Sequence, residues 1–227
     1  MKKVVLSVLM LSSVVALAQE ETKVVDSVKT SKSYKLETYI GFTGNVNDGT
    51  NLNKKLKNAN LPELDSFVPE VHFGLNLFME KYSGDVEFGF LFGKPSEGNN
   101  EMKYRGFNTR LRVHYNVVNQ EKFAFTTGLG LAFLGNQYDI YSKDNTIDLN
   151  DLEPNNNSGH VSFTNQMLYF GPSASVYLFK KSSLQMRVNV GYEFALTRGR
   201  YRSEFGSILN NVNESGNNRF VFGITLL

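Results

Sequence analysis

The 227-residue chain contains no cysteine, so it has neither disulfide bonds nor a cysteine that could carry a lipid. It must therefore be held together by packing or by closure of a sheet. Beyond its amino-terminal segment, the sequence also lacks the roughly 20 consecutive apolar residues that a transmembrane helix needs. If the protein spans a membrane, it must do so as a closed β-barrel, because only helices and closed barrels satisfy their backbone hydrogen bonds in lipid.

The mature chain also lacks an excess of charge of either sign. The sequence has 24 basic and 22 acidic residues, and two of the basic residues, Lys2 and Lys3, lie in the amino-terminal segment. Without that segment the chain has 22 of each and is formally neutral. Because no net electrostatic footprint remains, we expect no nucleic acid partner.

The amino-terminal segment has the parts of a secretory signal peptide. Lys2 and Lys3 precede an apolar run, and Ala16-Leu17-Ala18 offers a cleavage site of small residues. The alternative is an uncleaved anchor, but Ser7, Ser12 and Ser13 interrupt the run and leave it too short to span. We predict a signal peptide at 1–18, a mature chain from Gln19, a periplasmic segment at 19–34 and a barrel domain at 35–227.

Eight segments of the remaining chain alternate apolar with polar or small residues. A period of two places the apolar side chains on one face of a β-strand. The ending illustrates the pattern, since Phe220, Phe222, Ile224 and Leu226 share one face. The eight predicted strands are Lys35–Thr43, Val68–Lys81, Gly84–Gly93, Lys103–Val118, Lys122–Gly135, Gln166–Phe179, Leu184–Arg198 and Arg219–Leu227.

The connections between these segments alternate in length. Tight turns follow the second, fourth and sixth strands, whereas longer polar loops follow the first, third, fifth and seventh. The predicted loops are 44–67, 94–102, 136–165 and 199–218. This asymmetry is typical of outer-membrane barrels, which have an even number of strands. We therefore predict an all-β fold, an eight-stranded antiparallel up-and-down transmembrane β-barrel with short periplasmic turns and long extracellular loops.

The opposite face of the strands carries charges of both signs and a glycine in every strand. We predict that this face lines a narrow interior, in which glycines such as Gly41 and Gly74 leave room for long side chains. The charges either line a permeation path or pair into a closed plug, and their near balance favours the plug. The predicted network in the barrel lumen comprises Glu37, Glu80, Asp85, Glu87, Arg110, Arg112, Arg187, Glu193 and Arg219.

The signal peptide, the eight alternating strands and the ending Phe-Val-Phe-Gly-Ile-Thr-Leu-Leu resemble the small outer-membrane β-barrel superfamily. Within it, the chain is similar to the porin-family or PorT-like proteins with an outer membrane protein β-barrel domain. Family members commonly end in an aromatic residue, whereas this chain ends in Leu227. The resemblance implies a monomer in the outer membrane of a Gram-negative cell. Its partners would be outer-membrane lipid, lipopolysaccharide and, during biogenesis, the barrel-assembly machinery.

Three functions remain open on the sequence. The first is a closed structural or interaction barrel whose loops contact lipopolysaccharide or partners, and the second is a small porin-like pore for ions or polar solutes. The third and remote one is a lipid-modifying enzyme, because His160 and Ser162 have the spacing of a deacylase pair. That pair lacks an acid in its own strand to orient the histidine. We therefore predict no enzyme and no catalytic residue.

The sequence offers no convincing site for a cofactor or a metal ion. The oxygen-rich loop 144–153 lacks the glycine and the ligand spacing of an EF-hand. His72 and His114 lie in the lumen register of their strands, without a neighbouring ligand at the spacing of a metal site. We expect neither a cofactor nor a bound metal.

Overall fold

The computed structural model describes residues 34–144, 160–182 and 184–227. The predicted signal peptide, the cleavage site before Gln19 and almost all of the acidic loop lie outside the described residues. Within the described ranges, no helix is long and apolar enough to cross a membrane.

The described chain folds as a closed antiparallel sheet with one short helix. The strands are β1 (Lys35–Asn47), β2 (Phe67–Phe78), β3 (Tyr82–Gly93), β4 (Ser96–Glu97), β5 (Asn100–Asn119), β6 (Phe123–Ser142), β7 (His160–Leu178), β8 (Met186–Ala195) and β9 (Arg219–Leu226). Each long strand pairs with its sequence neighbour, β3 pairs with β5, and β9 pairs with β1 to complete the ring. The two-residue β4 extends the β5 edge. The predicted eight-stranded up-and-down barrel is confirmed.

The helix α1 (Asn51–Asn58) lies in the connection between β1 and β2. Thr50 is its N-cap, and the hydroxyl accepts a hydrogen bond from the backbone N–H of Asn53 at 3.3 Å. Leu52 and Leu56 are buried, four residues apart on one face, whereas the helix otherwise exposes lysines. This amphipathic helix therefore covers the barrel at the end where the long loops lie, called the long-loop end below.

The strands β6 and β7 are longer than the sequence analysis predicted. Their ladder continues past Asn136 and Asn165 to a last pair of Tyr141 with His160. The predicted loop 136–165 is therefore wrong at both of its ends. The apolar alternation stops early because polar side chains such as Asp139 take the outward positions in this extension.

The barrel is apolar outside and polar inside. Phe42 and Val113 are 69% and 59% exposed, whereas Arg110, Arg187 and Arg219 are at most 1% exposed. Large apolar side chains cover the outer wall, among them Phe73, Phe90, Leu111, Leu129, Phe170, Val190 and Ile224. Such an extended exposed apolar surface requires a partner other than water.

Two local features of the wall follow from glycine and proline. At Gly41, a Cβ atom would lie 2.5 Å from Nε2 of His72, so the absence of a side chain lets the imidazole lie against the wall. On β7, the pairing with β8 is interrupted at Gly171 and Pro172. Proline has no N–H to donate, which explains the gap in the ladder.

Candidate functional site in the barrel interior

The interior nearer the short turns is filled by four carboxylates and four guanidinium groups, called the arginine network below. Its members are Glu70, Asp85, Glu87, Glu193, Arg110, Arg112, Arg187 and Arg219. All eight side chains are buried, and the formal charges cancel. Buried charges are tolerated only when they are paired and hydrogen-bonded, so the partners of each charge in this network matter.

Asp85 is the centre of one half of the network. Arg112 binds it through two nitrogens, Nε at 3.0 Å and Nη2 at 2.6 Å, in the forked geometry that guanidinium and carboxylate share. Arg187 reaches Asp85 from β8 at 3.3 Å, across the lumen. The hydroxyl of Tyr39 also donates to Asp85, at 2.6 Å. Three further strands are thereby joined to β3 through a single carboxylate.

Arg110 is the centre of the other half. Its Nε donates to Glu193 at 2.7 Å, and its Nη1 donates to Glu87 and approaches Glu70 at 3.4 Å. Glu193 in turn accepts from Nε of Arg219 at 2.5 Å. Because Glu193 lies on β8 and Arg110 on β5, these contacts also cross the lumen.

Neutral side chains add hydrogen bonds around the charges, while Nη2 of Arg110 and Nε of Arg187 have no hydrogen-bond partner among the described residues. Asn45 and Asn108 donate to Glu70 at 3.0 and 3.2 Å, and Asn76 accepts from Arg187 at 3.0 Å. Aromatic faces cover two of the cations, Arg187 and Arg219, and the first lies 4.6 Å above the Tyr39 ring. Cation–π contacts of this kind strengthen when water is excluded. The arginines are therefore held from several directions.

The structure places seven of the nine predicted lumen residues in this network and two outside it. Glu37 lies at the short-turn rim, where it contacts Lys35 at 2.6 Å and Gln185 at 3.1 Å. The prediction for Glu80 is wrong, because β2 ends at Phe78 and Glu80 is exposed in the turn. An alternating pattern continued past the end of a strand misplaces its last residue in this way.

Glu70 is a network residue that the sequence analysis missed. It is 1% exposed. Like His72 and Gly74, which were assigned to the lumen, it is an even-numbered residue of β2, so its side chain lies on the same face of the strand. Parity alone was therefore sufficient to find it. The prediction overlooked it because the apolar pattern of this strand was followed only from Val71 onwards.

Glu70, His72 and Glu87 approach one another within 4.8 Å, close enough to share a metal ion. Arginines already bind both carboxylates, and His72 contacts the hydroxyls of Thr43 and Thr225 at 3.2 Å each. A divalent cation would add two positive charges to a balanced network and would have to displace those arginines. The donor set is therefore better suited to guanidinium than to a metal.

Towards the long-loop end, the interior changes from charged to aromatic. Five buried rings, called the aromatic plug below, lie there: Tyr104, Tyr138, Phe163, Tyr169 and Tyr201. All but Tyr169 pack against one another, with ring centroids between 5.3 and 5.9 Å apart. Leu52 and Leu56 of α1 belong to the same apolar cluster. The two levels meet where the guanidinium of Arg219 lies 4.3 Å above the Tyr169 ring.

Glu214, in the connection between β8 and β9, joins α1 to the aromatic plug through hydrogen bonds. Its carboxylate accepts hydrogen bonds from the backbone N–H groups of Asn51 and Leu52 at 2.7 and 2.8 Å. It also accepts from the Tyr201 hydroxyl at 2.8 Å. Burial raises the pKa of that hydroxyl, so Tyr201 remains a proton donor. An anion at a helix N-terminus is favourable because unpaired N–H groups and the helix dipole converge there.

Two cavities within these levels of the described barrel are small. A cavity of about 20 Å³ lies beside Arg110 and Glu193, and one of about 40 Å³ lies between Tyr138, Tyr201 and Glu214. The first accommodates a single water molecule and the second only a few. Neither is wide enough to pass a hydrated ion through the described barrel.

His160 and Ser162 lie on the outer wall in the β7 extension. An acid that the sequence analysis did not find, Asp139 on β6, approaches both of them. However, the Ser162 hydroxyl donates to Asp139 directly, at 2.6 Å, while Nε2 of His160 lies 3.5 Å from the same carboxylate. In a catalytic triad the histidine lies between the hydroxyl and the acid. Here the acid lies between the other two.

The chain is similar to known proteins only among solved structures. No protein-family model and no curated protein matches the chain. Among solved structures, it is similar to Ail, the attachment invasion locus protein of Yersinia pestis, with 10% identity, a TM-score of 0.47 and coverage of 84% of this chain and 96% of that one. It is also similar to a major outer membrane protein from Thermus thermophilus, with 7% identity, a TM-score of 0.49 and coverage of 84% and 98%.

Both TM-scores lie below 0.5, so neither likeness supports an argument about function. The fold assignment depends on the closed ladder of this chain itself. The PorT-like or porin-family membership stays a prediction.

Proposed function

We propose that the protein is a closed, non-conducting barrel of the outer membrane, which acts as a structural or interaction protein. The observation that carries the proposal is the filling of the interior on two levels. Ion pairs across the lumen close the half nearer the short turns, and the aromatic plug with α1 closes the other half. An eight-stranded barrel has an interior that side chains alone can fill.

The outer wall supports the membrane setting. On β5, the outward apolar side chains extend from Phe107 to Val117, ten residues along the strand. At about 3.3 Å per residue this is about 33 Å, and a strand tilt of about 40° reduces it to about 25 Å across the membrane. That height equals the apolar band of outer-membrane barrels.

The short-turn end supports an orientation. Tyr82 and Tyr115 are exposed there and pack edge to face at 5.7 Å between ring centroids. Exposed tyrosines are typical of the membrane–water interface. Short turns face the periplasm in outer-membrane barrels, so α1 and the long connections would face outwards, where lipopolysaccharide and partner molecules are accessible.

The pore alternative has less support. A permeation path requires charges that face water, whereas the side chain of Arg110 is 2% exposed and that of Arg187 is fully buried. Ion passage would require simultaneous opening of the cap and breakage of pairs such as Arg110–Glu193. Separating such a pair exposes uncompensated buried charge, for which the loss of one partner, at about 3–5 kcal/mol, gives the scale.

Conductance measurements on the refolded mature chain in planar bilayers test the proposal. We expect no reproducible conductance steps from the wild type. A variant with a loosened cap, Glu214→Ala, should also remain closed because the arginine network is intact. Reproducible steps in the wild type that change with Arg110→Ala or Glu87→Ala would contradict the proposal and support a pore.

A further inference from the structure

The segment that follows β8 presents three arginines on one side. Along residues 198–202, Gly199 and Tyr201 are buried, whereas Arg198, Arg200 and Arg202 are exposed. This alternation follows the period of an extended chain. The side chain of Tyr201 joins the aromatic plug, so the three arginines must point out of the barrel.

Hydrogen bonds on both sides hold this segment in place. Arg202 and Thr164 exchange backbone hydrogen bonds of 2.7 and 2.9 Å, which attach the segment to the free edge of the β7 extension. Asn211 clamps Tyr201, since it accepts from the N–H at 3.1 Å and donates to the carbonyl at 2.6 Å. Gly199 packs too closely for a side chain, because a Cβ atom would lie 2.8 Å from the Asn165 amide. The arginines therefore project from a fixed backbone.

The three arginines border a groove of about 350 Å³ on the outer wall. Its floor includes Phe133 and Leu168, which belong to the outward face of β6 and β7, and its sides include Gln166 and Thr197. None of the described residues that line the groove is acidic. Within the described part of the chain, none of the three arginines forms an ion pair.

The neighbouring cation behaves differently. Arg105, which lines the adjacent groove of about 420 Å³, pairs with Asp139 at 2.8 Å, and Glu204 lines that groove as well. The positive charge of the adjacent groove is therefore balanced, whereas that of the arginine groove is not balanced by any described residue lining it. A groove that has arginines at one side and the apolar side chains of Phe133 and Leu168 at the other fits an amphiphile with an anionic head group.

We propose that this groove binds the phosphate group of an outer-leaflet lipid, the chemistry that lipopolysaccharide offers. The guanidinium groups of Arg198, Arg200 and Arg202 bind the phosphate oxygens, and an acyl chain lies along Phe133 and Leu168. Guanidinium matches phosphate in a bidentate geometry and is only weakly hydrated, which suits a membrane interface. The apolar floor favours a lipid over free phosphate. This inference rests on the membrane location in the proposed function.

A charge-matched pair of triple variants tests the proposal. Arg198→Gln/Arg200→Gln/Arg202→Gln removes three charges from the groove, and Lys54→Gln/Lys55→Gln/Lys57→Gln removes three from the exposed face of α1. The refolded mature chain is titrated with lipopolysaccharide, with the same material after removal of its phosphates, and with inorganic phosphate. We expect the arginine variant to bind lipopolysaccharide at least roughly 10-fold more weakly, because each basic residue contributes to binding at an anionic lipid surface.

The lysine variant should bind within about twofold of the wild type, because α1 lies between β1 and β2, whereas the groove lies on β6 and β7. Dephosphorylation should weaken wild-type binding as much as the arginine substitutions do, and inorganic phosphate should bind weakly or not compete. Equal losses in the two triple variants, or binding that is insensitive to dephosphorylation, would overturn the proposal. Conductance measurements on the same variants test the closed-barrel proposal separately. Either proposal can therefore be contradicted while the other stands.

Discussion

The two levels of the barrel interior are closed by different physical means. The arginine network is built from strand residues alone and depends on directional bonds between charges, such as those of Arg110 and Glu193. The aromatic plug depends on packing and receives Tyr201 and α1 from the loops. The first level is therefore a property of the barrel wall. The second combines four rings of the strands with parts of the connections, and we expect it to loosen while the wall remains closed.

The two levels also differ in how they respond to the loss of one side chain. Removing an arginine leaves the network one positive charge short, and removing Arg110 deprives Glu70 of its arginine. An uncompensated buried charge costs more than an ion pair contributes. Removing one group from the plug leaves neighbours that can still pack or reach water at the barrel mouth. We therefore expect substitutions in the network to act globally and substitutions around the cap to act locally.

The largest effect is expected from Arg110→Met. The substitution keeps much of the apolar volume but leaves Glu70, Glu87 and Glu193 short of a cation in the lumen. We expect the free energy of unfolding to fall by about 3–5 kcal/mol, measured by urea titration of the refolded chain in detergent micelles. The matched control is Arg105→Met on the outer wall, whose side chain is 55% exposed and pairs with Asp139.

The control should lose no more than about 1 kcal/mol, because exposed ion pairs contribute little. A similar loss of unfolding free energy in the two variants would indicate that the interior ion pairs are as hydrated as the outer one. The distinction between the arginine network and an exposed ion pair would then be wrong.

A smaller global effect is expected from Gly41→Ala. The added Cβ would lie 2.5 Å from Nε2 and 2.9 Å from Cε1 of His72, and closer still to the backbone carbonyl oxygen of Ile224. This imidazole cannot move freely, because hydrogen bonds to Thr43 and Thr225 hold it and it is fully buried. Overpacking of this kind costs about 1–3 kcal/mol, which the same urea titration measures.

Gly135→Ala on the outward face of β6 is the matched control for this substitution. The nearest atom to its added Cβ would be a ring carbon of Phe133 at 4.0 Å, an ordinary contact distance. We expect its stability to remain close to that of the wild type. A loss as large as that of Gly41→Ala would mean that glycine matters to this barrel through chain flexibility rather than through interior space.

A local effect is expected from Glu214→Ala. The substitution removes the acceptor of two N–H groups of α1 and of the Tyr201 hydroxyl. We expect the cap to lose about 1–2 kcal/mol, the range of a lost helix N-cap, while the barrel strands keep their stability. Hydrogen exchange should quicken in residues 51–58 and remain unchanged in β5 and β8.

Glu204→Ala serves as its control, because Glu204 is exposed in the same connection. Faster exchange throughout the strands in Glu214→Ala would show that the cap and the wall unfold together. In that case the two levels would form a single cooperative unit.

Alternation along the sequence was sufficient to predict the wall but not the cap. Phe107, Leu111 and Val113 indicate both the strand and its outward face, because their apolar side chains alternate with polar ones. That alternation ends before the β6–β7 extension around Asp139, which therefore carried no such signal. Glu214 and Tyr201 lie in a long irregular connection, where no period relates a residue to its partner across the barrel.

Within the lumen, parity predicted which side chains point inwards but not which of them pair. Arg110 and Glu193 belong to β5 and β8, and their contact depends on strand order, stagger and barrel diameter together. The same limit applies to Arg198, Arg200 and Arg202, whose alternation is visible in the sequence. Their position above Phe133 and Leu168 depends on the pairing of Arg202 with Thr164.

The smallest effect is expected from His160→Ala. The imidazole is about half exposed and lies 3.5 Å from an Asp139 carboxylate that Ser162 and Arg105 already bind. We expect a change in stability within about 0.5 kcal/mol, as for other exposed positions, and no change in the acyl chains of lipid A from cells that express the variant. Mass spectrometry of extracted lipid A provides the second readout.

The matched variant Ser162→Ala loses a direct 2.6 Å hydrogen bond to Asp139. It should therefore be slightly less stable than His160→Ala. Like that variant, it should leave the acyl chains of lipid A unchanged. Acyl-chain modification that depends on both residues would require the outer wall to rearrange so that His160 reaches the Ser162 hydroxyl. That result would assign the chemistry of this barrel to its outer surface rather than to its closed interior.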